Sequence, residues 1–133
     1  MNDKSRDYER RALQVLIFIG ALVPVWAGAK GMISGAEAFG QGSDISLDSH
    51  VRYLSGLLFA LGISFWSLIP EIEKNAKPMR LLTSLVFVGG LARLMAVIFT
   101  GLPSLPMILA IGMELVVTPL LCLWQGRIQM GGK

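Results

Sequence analysis

The sequence is poor in charge. Only 16% of its 133 residues are Asp, Glu, Lys or Arg, against about 25% in an ordinary soluble domain. It holds one cysteine, Cys122, so no disulfide can form within the chain. It holds one histidine, His50, which alone cannot supply a multi-histidine metal or haem site. No HExxH, GxSxG, P-loop or dinucleotide fingerprint occurs. These gaps leave little for catalysis. The chain is read as non-enzymatic, with no cofactor expected. His50 with Asp44 and Asp48 comes nearest to a metal-ligating group, but their polar loop setting fits a solvated cluster better, and no metal site is expected.

What is present is apolar. Hydrophobic residues make up 53% of the chain and the mean hydropathy is +0.62. The net charge of +3 and pI of about 9.4 do not point to nucleic acid. A basic binder gathers its Lys and Arg on one face, whereas here they stand at the ends of apolar runs. The partner implied is a lipid bilayer.

A spanning helix needs about 20 mostly apolar residues to cross about 30 Å of hydrocarbon. Four stretches qualify: 12–29, with helix running on as far as 38, then 51–69, 79–100 and 105–124. Each must be helical, because lipid cannot satisfy free backbone N–H and C=O groups. The first also resembles a secretory signal peptide ending at Ala27-Gly28-Ala29, but Asp3, Asp7 and Glu9 are atypical of its leading region.

Orientation follows from the basic residues. Lys4, Arg6, Arg10, Arg11, Lys74, Lys77, Arg80, Arg127 and Lys133 fall on one side, and Lys30 alone on the other. Both termini are therefore expected in the cytoplasm, with the acidic loop 31–49 facing outward. Trp66 and Trp124 near inner ends, and Trp26 and Tyr53 near outer ends, fit interfacial belts. The GLPSLP turn allows only an antiparallel hairpin between the last two helices, and EIEKNAKP is a short polar linker. The expected fold is all-α: one integral membrane four-helix bundle, up-down-up-down, filling the chain as a single domain.

Membrane helices associate through small residues spaced four apart. Gly20, Pro24 and Gly28 form such a ridge on the first helix, with Pro24 a candidate kink, and Gly56, Ala60 and Ser64 form one on the second. On the third, Gly89, Arg93 and Ala96 share a face with Gly90 alongside, and on the fourth Ala110, Glu114 and Thr118 align. Two charges therefore sit on faces expected to turn inward. Helical rise puts Arg93 about 10 Å and Glu114 about 13 Å below the GLP turn, so the two can meet. An isolated charge at mid-membrane costs at least about 2.5 kcal/mol, and pairing relieves it. A second polar set lies in LDSHVRYLSG, where Asp48 or Ser49 can cap the second helix and His50, Arg52 and Tyr53 fall in its first turn. Arg52 and Tyr53 either anchor at the interface or rim an outward pocket floored by Arg93 and Glu114.

These residues carry a family resemblance. DSHVRYLSGLLFALG, then GGLARL, the GLP turn and a helical glutamate resemble the domain-of-unknown-function 4345 family across about 13–124. The matching positions are Asp48, Arg52, Tyr53, Gly56, Gly89, Gly90, Arg93, Gly101, Pro103 and Glu114. The resemblance implies a small bacterial membrane protein of four helices, related to the DoxX-like group, and brings no activity with it. The expected function is an accessory subunit of a larger membrane complex, or a small bundle that binds a lipid- or quinone-like ligand at a buried Arg–Glu site. The alternatives are an oligomeric transporter or channel-like protein and, less favoured, a membrane enzyme. The bacterial inner membrane is the expected location, and a homo-oligomer is a further candidate partner state.

Overall fold

The computed structural model describes residues 3–40, 42 and 44–130. Lys133 of the charge count, and Gln41 and Ser43 of the outward loop, lie outside them. Among the described residues the fold is all-α. Helix α1 spans Asp3–Ser34 and a 3-10 turn follows over Gly35–Phe39. Helix α2 spans Ile45–Leu68, and α3 spans Ala76–Thr100. The last span is α4, Leu105–Gly112, a π-helical segment, Met113–Val117, and α5, Thr118–Met130. Four helices are thus long and apolar enough to cross a membrane, and the chain is a multi-pass membrane protein.

The helices overrun the apolar segments at several ends. The apolar run ends where lipid ends, but helix continues into water wherever caps and polar contacts support it. The first helix starts nine residues before the expected 12 and its α-helical part stops at Ser34. The second starts at Ile45 instead of 51, because Asp44, not Asp48 or Ser49, is its N-cap. The Asp44 carboxylate accepts from the Leu47 N–H at 2.7 Å. His50, Arg52 and Tyr53 consequently stand beyond the first turn, and the expected loop 31–49 is helical over 31–39 and 45–49.

The chain divides into two compact units, one of residues 14–70 and one of residues 1–13 with 71–133. The first unit is an antiparallel helical hairpin. The two helices' backbones pack closely at Gly28, where a Cβ would lie 2.5 Å from the Phe59 amide nitrogen and 2.7 Å from the Ser55 carbonyl oxygen. At Gly62 a Cβ would come within 2.6 Å of Val25. The helices therefore meet through Ser55, Phe59 and Gly62, not through the expected ridge of Gly56, Ala60 and Ser64; Gly56 has only Met32 near it, at 3.9 Å. At one end of the hairpin Gln14 donates to the Ile69 carbonyl at 2.7 Å. The Trp66 indole N–H donates to the Phe18 carbonyl at 3.1 Å and its ring stacks on Phe18 with centroids 5.3 Å apart. Trp66 thus ties two helices together, beyond the interfacial role read for it.

In the second unit α3 and the last span form the other antiparallel pair. Gly101 adopts φ 98°, a conformation glycine tolerates without strain, and its N–H closes α3 on the Val97 carbonyl. Pro106 then sits in the first turn of α4, where its missing N–H costs nothing. At the far end Gln125, 1% exposed, donates to the Ile72 carbonyl at 2.7 Å, beside the buried Ile72, Met79 and Ile128. Arg10 meets Glu73 at 3.2 Å. Large apolar side chains otherwise face outward, Leu102 at 83% and Phe99 at 79% exposure among them. So much apolar surface is untenable in water and is what lipid covers.

Candidate functional site

Helix α3 and the π-helical segment of the last span bring Arg93 and Glu114 together, as their depths predict. Arg93 Nε lies 3.1 Å from Glu114 Oε1. A second guanidinium nitrogen of Arg93 lies 3.1 Å from Met107 Sδ, a weak acceptor one turn into α4. The glycine that permits this is Gly90, not Gly89. A Cβ on Gly90 would lie 2.9 Å from Glu114 Cβ and 2.8 Å from Leu115 Cδ2, whereas Gly89 has open space around it. Gly90 and Arg93 are three apart and so share a helical face.

Glu114 occupies the π-helical segment, a feature the sequence reading missed. Its signal is Pro119, which has no N–H to give the Leu115 carbonyl and whose ring clashes with that carbonyl in a straight α-helix. The register slips instead. The Thr118 N–H bonds to the Met113 carbonyl five residues back, and the Thr118 hydroxyl donates to the same oxygen at 2.9 Å. Single π turns inside α-helices recur at functional sites.

One polar atom of the site has no partner. Glu114 Oε2 is buried and, among the described residues, no donor reaches it. The Glu114 side chain is 19% exposed and that of Arg93 39%, so the arginine keeps open donors at the surface of the pair. A buried acceptor without a hydrogen bond costs about 1–3 kcal/mol unless something donates to it.

The polar set at the start of α2 has a different arrangement. Arg52 Nε donates to Asp48 at 2.7 Å, and a terminal nitrogen donates to the Met32 and Ile33 carbonyls at 2.7 and 2.8 Å. The other Asp48 oxygen accepts from the Ala36 N–H at 2.9 Å. Arg52 and Asp48 therefore cap the end of α1 and fix its turn at Gly35, φ 60°. The Arg52 side chain is thereby engaged at the end of α1 while remaining 44% exposed. The side chains of His50 and Tyr53 are exposed, Tyr53 at 64%. Among the described residues no group of three metal-ligating side chains converges.

A family model described as a domain of unknown function, DUF4345, matches residues 12–125. The chain belongs to the DUF4345 family. No curated protein and no solved structure matches it. In this DUF4345 protein the match runs through both polar sets, the Arg93–Glu114 pair and the Asp48–Arg52 cap. The two do unlike things: one ties the end of α1 to α2 through its hydrogen bonds, and the other leaves a buried acceptor open.

Proposed function

We propose that this chain is a small, non-enzymatic protein of the bacterial cytoplasmic membrane, its termini inward, that binds a lipid- or quinone-like ligand at Arg93 and Glu114. The observation behind this reading is the buried, undonated Glu114 Oε2 beside an arginine with donors to spare. That pairing offers an acceptor and a donor side by side at membrane depth. It suits a ligand with a hydroxyl next to an ether, ester or carbonyl oxygen, such as a glycerolipid or a quinol. Burial in hydrocarbon makes each such hydrogen bond count, because water is not there to replace it. The π segment supports the reading, since it sets Glu114 out of ordinary helical register.

The accessory-subunit alternative draws on the last span, whose most apolar 18-residue window has no buried residue. Lipid covers such a surface as readily as a protein does. One experiment separates the two: purification in mild detergent, followed by organic extraction of the purified protein. Ligand binding predicts a defined lipid or quinone, of which about one molar equivalent is lost in Glu114→Met. A partner protein in fixed ratio, with no retained small molecule, would favour the subunit reading.

A further inference from the structure

A second candidate site lies away from the Arg93–Glu114 pair, where the start of α1 meets α5. There an open groove of about 440 Å³ is lined by Glu9, Leu123, Trp124 and Arg127. Its walls are graded. Leu123 and Arg127 are one turn apart on α5, so the guanidinium end stands about 6 Å above the leucine along the helix axis. Glu9 lies one turn before the buried Leu13 on α1. Toward the chain end the groove is charged, and toward the span it is apolar, with a tryptophan at the level where tryptophans favour the membrane interface.

The charges are not spent on each other. Among the described residues no ion pair or side-chain hydrogen bond engages Glu9, Arg127 or the Trp124 indole N–H. The groove therefore presents an acceptor carboxylate, a donor guanidinium and a neutral donor to a single occupant. An anionic headgroup meets Glu9 with repulsion. A choline headgroup carries no N–H for the carboxylate to accept. A headgroup with a phosphate and a primary ammonium satisfies both charges at once, while its acyl chains continue along Leu123.

We infer that this groove binds a zwitterionic phospholipid of the phosphoethanolamine type. Its phosphate lies against Arg127 and the Trp124 N–H, and its ammonium against Glu9. The selectivity runs against the surroundings. The α1 end also carries Lys4, Arg6 and Arg11, which attract acidic lipid without regard to geometry. A preference for a net-neutral lipid there must come from the paired charges of the groove.

The test is native mass spectrometry of the full chain in detergent, titrated with phosphatidylethanolamine, phosphatidylcholine and phosphatidylglycerol of identical acyl chains. The expected result is about threefold stronger retention of phosphatidylethanolamine than of either other lipid, the ratio a partly exposed charge pair supports. Glu9→Gln brings it down to the phosphatidylcholine level, and Arg127→Gln weakens both zwitterionic lipids. Equal retention of the three lipids by the unsubstituted protein, a preference for phosphatidylglycerol, or an undiminished ethanolamine preference in Glu9→Gln would each overturn the inference. The selectivity of the unsubstituted chain decides the matter even where a variant fails to fold.

Discussion

Replacing Arg93 by methionine removes the charge and the guanidinium donors, keeps an unbranched apolar stem and strands Glu114. The carboxylate then has neither oxygen satisfied at a position where its side chain is only 19% exposed. Leaving buried acceptors unmet costs about 1–3 kcal/mol, so Arg93→Met should lower stability by about 2 kcal/mol. Glu114→Met is milder. Arg93 is 39% exposed, keeps its Met107 contact and can turn its charge toward the surface, so the loss should be about 1 kcal/mol. In the double variant the stranding disappears. Polar pairs between membrane helices couple by about 0.6 kcal/mol on average and about 1.7 at most. A charged pair held this close belongs in the upper half of that range, so the coupling should be about 1 kcal/mol. Equilibrium unfolding of the four proteins in mild micelles, by detergent titration or steric trapping, measures it. Additive losses, within about 0.3 kcal/mol, would refute the pairing argument, and so would a larger loss for Glu114→Met than for Arg93→Met.

Other positions give sharper contrasts. Gly28→Ala should destabilise by about 1–3 kcal/mol, because its new methyl meets backbone that cannot swing aside, whereas Gly89→Ala, with open space around it, should stay within about 0.5 kcal/mol or gain; thermal melts in one detergent compare them. Arg52→Met should uncap α1 without unfolding it, seen as faster amide exchange confined to residues around 32–40 and no change near 93 or 114. Pro119→Ala restores the N–H that the Leu115 carbonyl lacks, so the π turn should relax to α and rotate Cys122 by about 100° relative to Glu114. The alkylation rate of Cys122 in the folded protein should change, and an unchanged rate would mean that Pro119 does not hold the π segment.

The Arg93–Glu114 meeting was legible because it needs only helical rise and a tight turn. Both quantities can be read from LARLMAVIFTGLPSLPMILAIGMEL without knowing any rotation. Rotation was harder to read. Small residues lie on several faces of α2, so spacing alone could not choose Ser55 and Gly62 over Gly56 and Ala60; the choice is made by where Val25 and Gly28 sit on the opposing helix. The start of α2 was misplaced because hydropathy marks where lipid begins, while the helix begins at whichever side chain caps it, here Asp44. The π segment was missed for a different reason. Proline is common in membrane helices, so Pro119 draws no notice in the sequence, although its absent N–H decides the register of the turn that carries Glu114. The Asp48–Arg52 cap depends on α1 running on to Ser34, which the apolar pattern does not define.

On the proposed reading, the open face of the Arg93–Glu114 pair holds a small amphipathic molecule. Native mass spectra of the unsubstituted protein and of Glu114→Met, taken side by side after the same gentle extraction, test it most directly. The former should carry one more defined adduct, a lipid or quinone, than the latter while both proteins stay folded, the lipid of the α1–α5 groove being common to the two. Spectra free of adducts, or the same set of adducts at the same occupancies on both proteins with none lost, would contradict it.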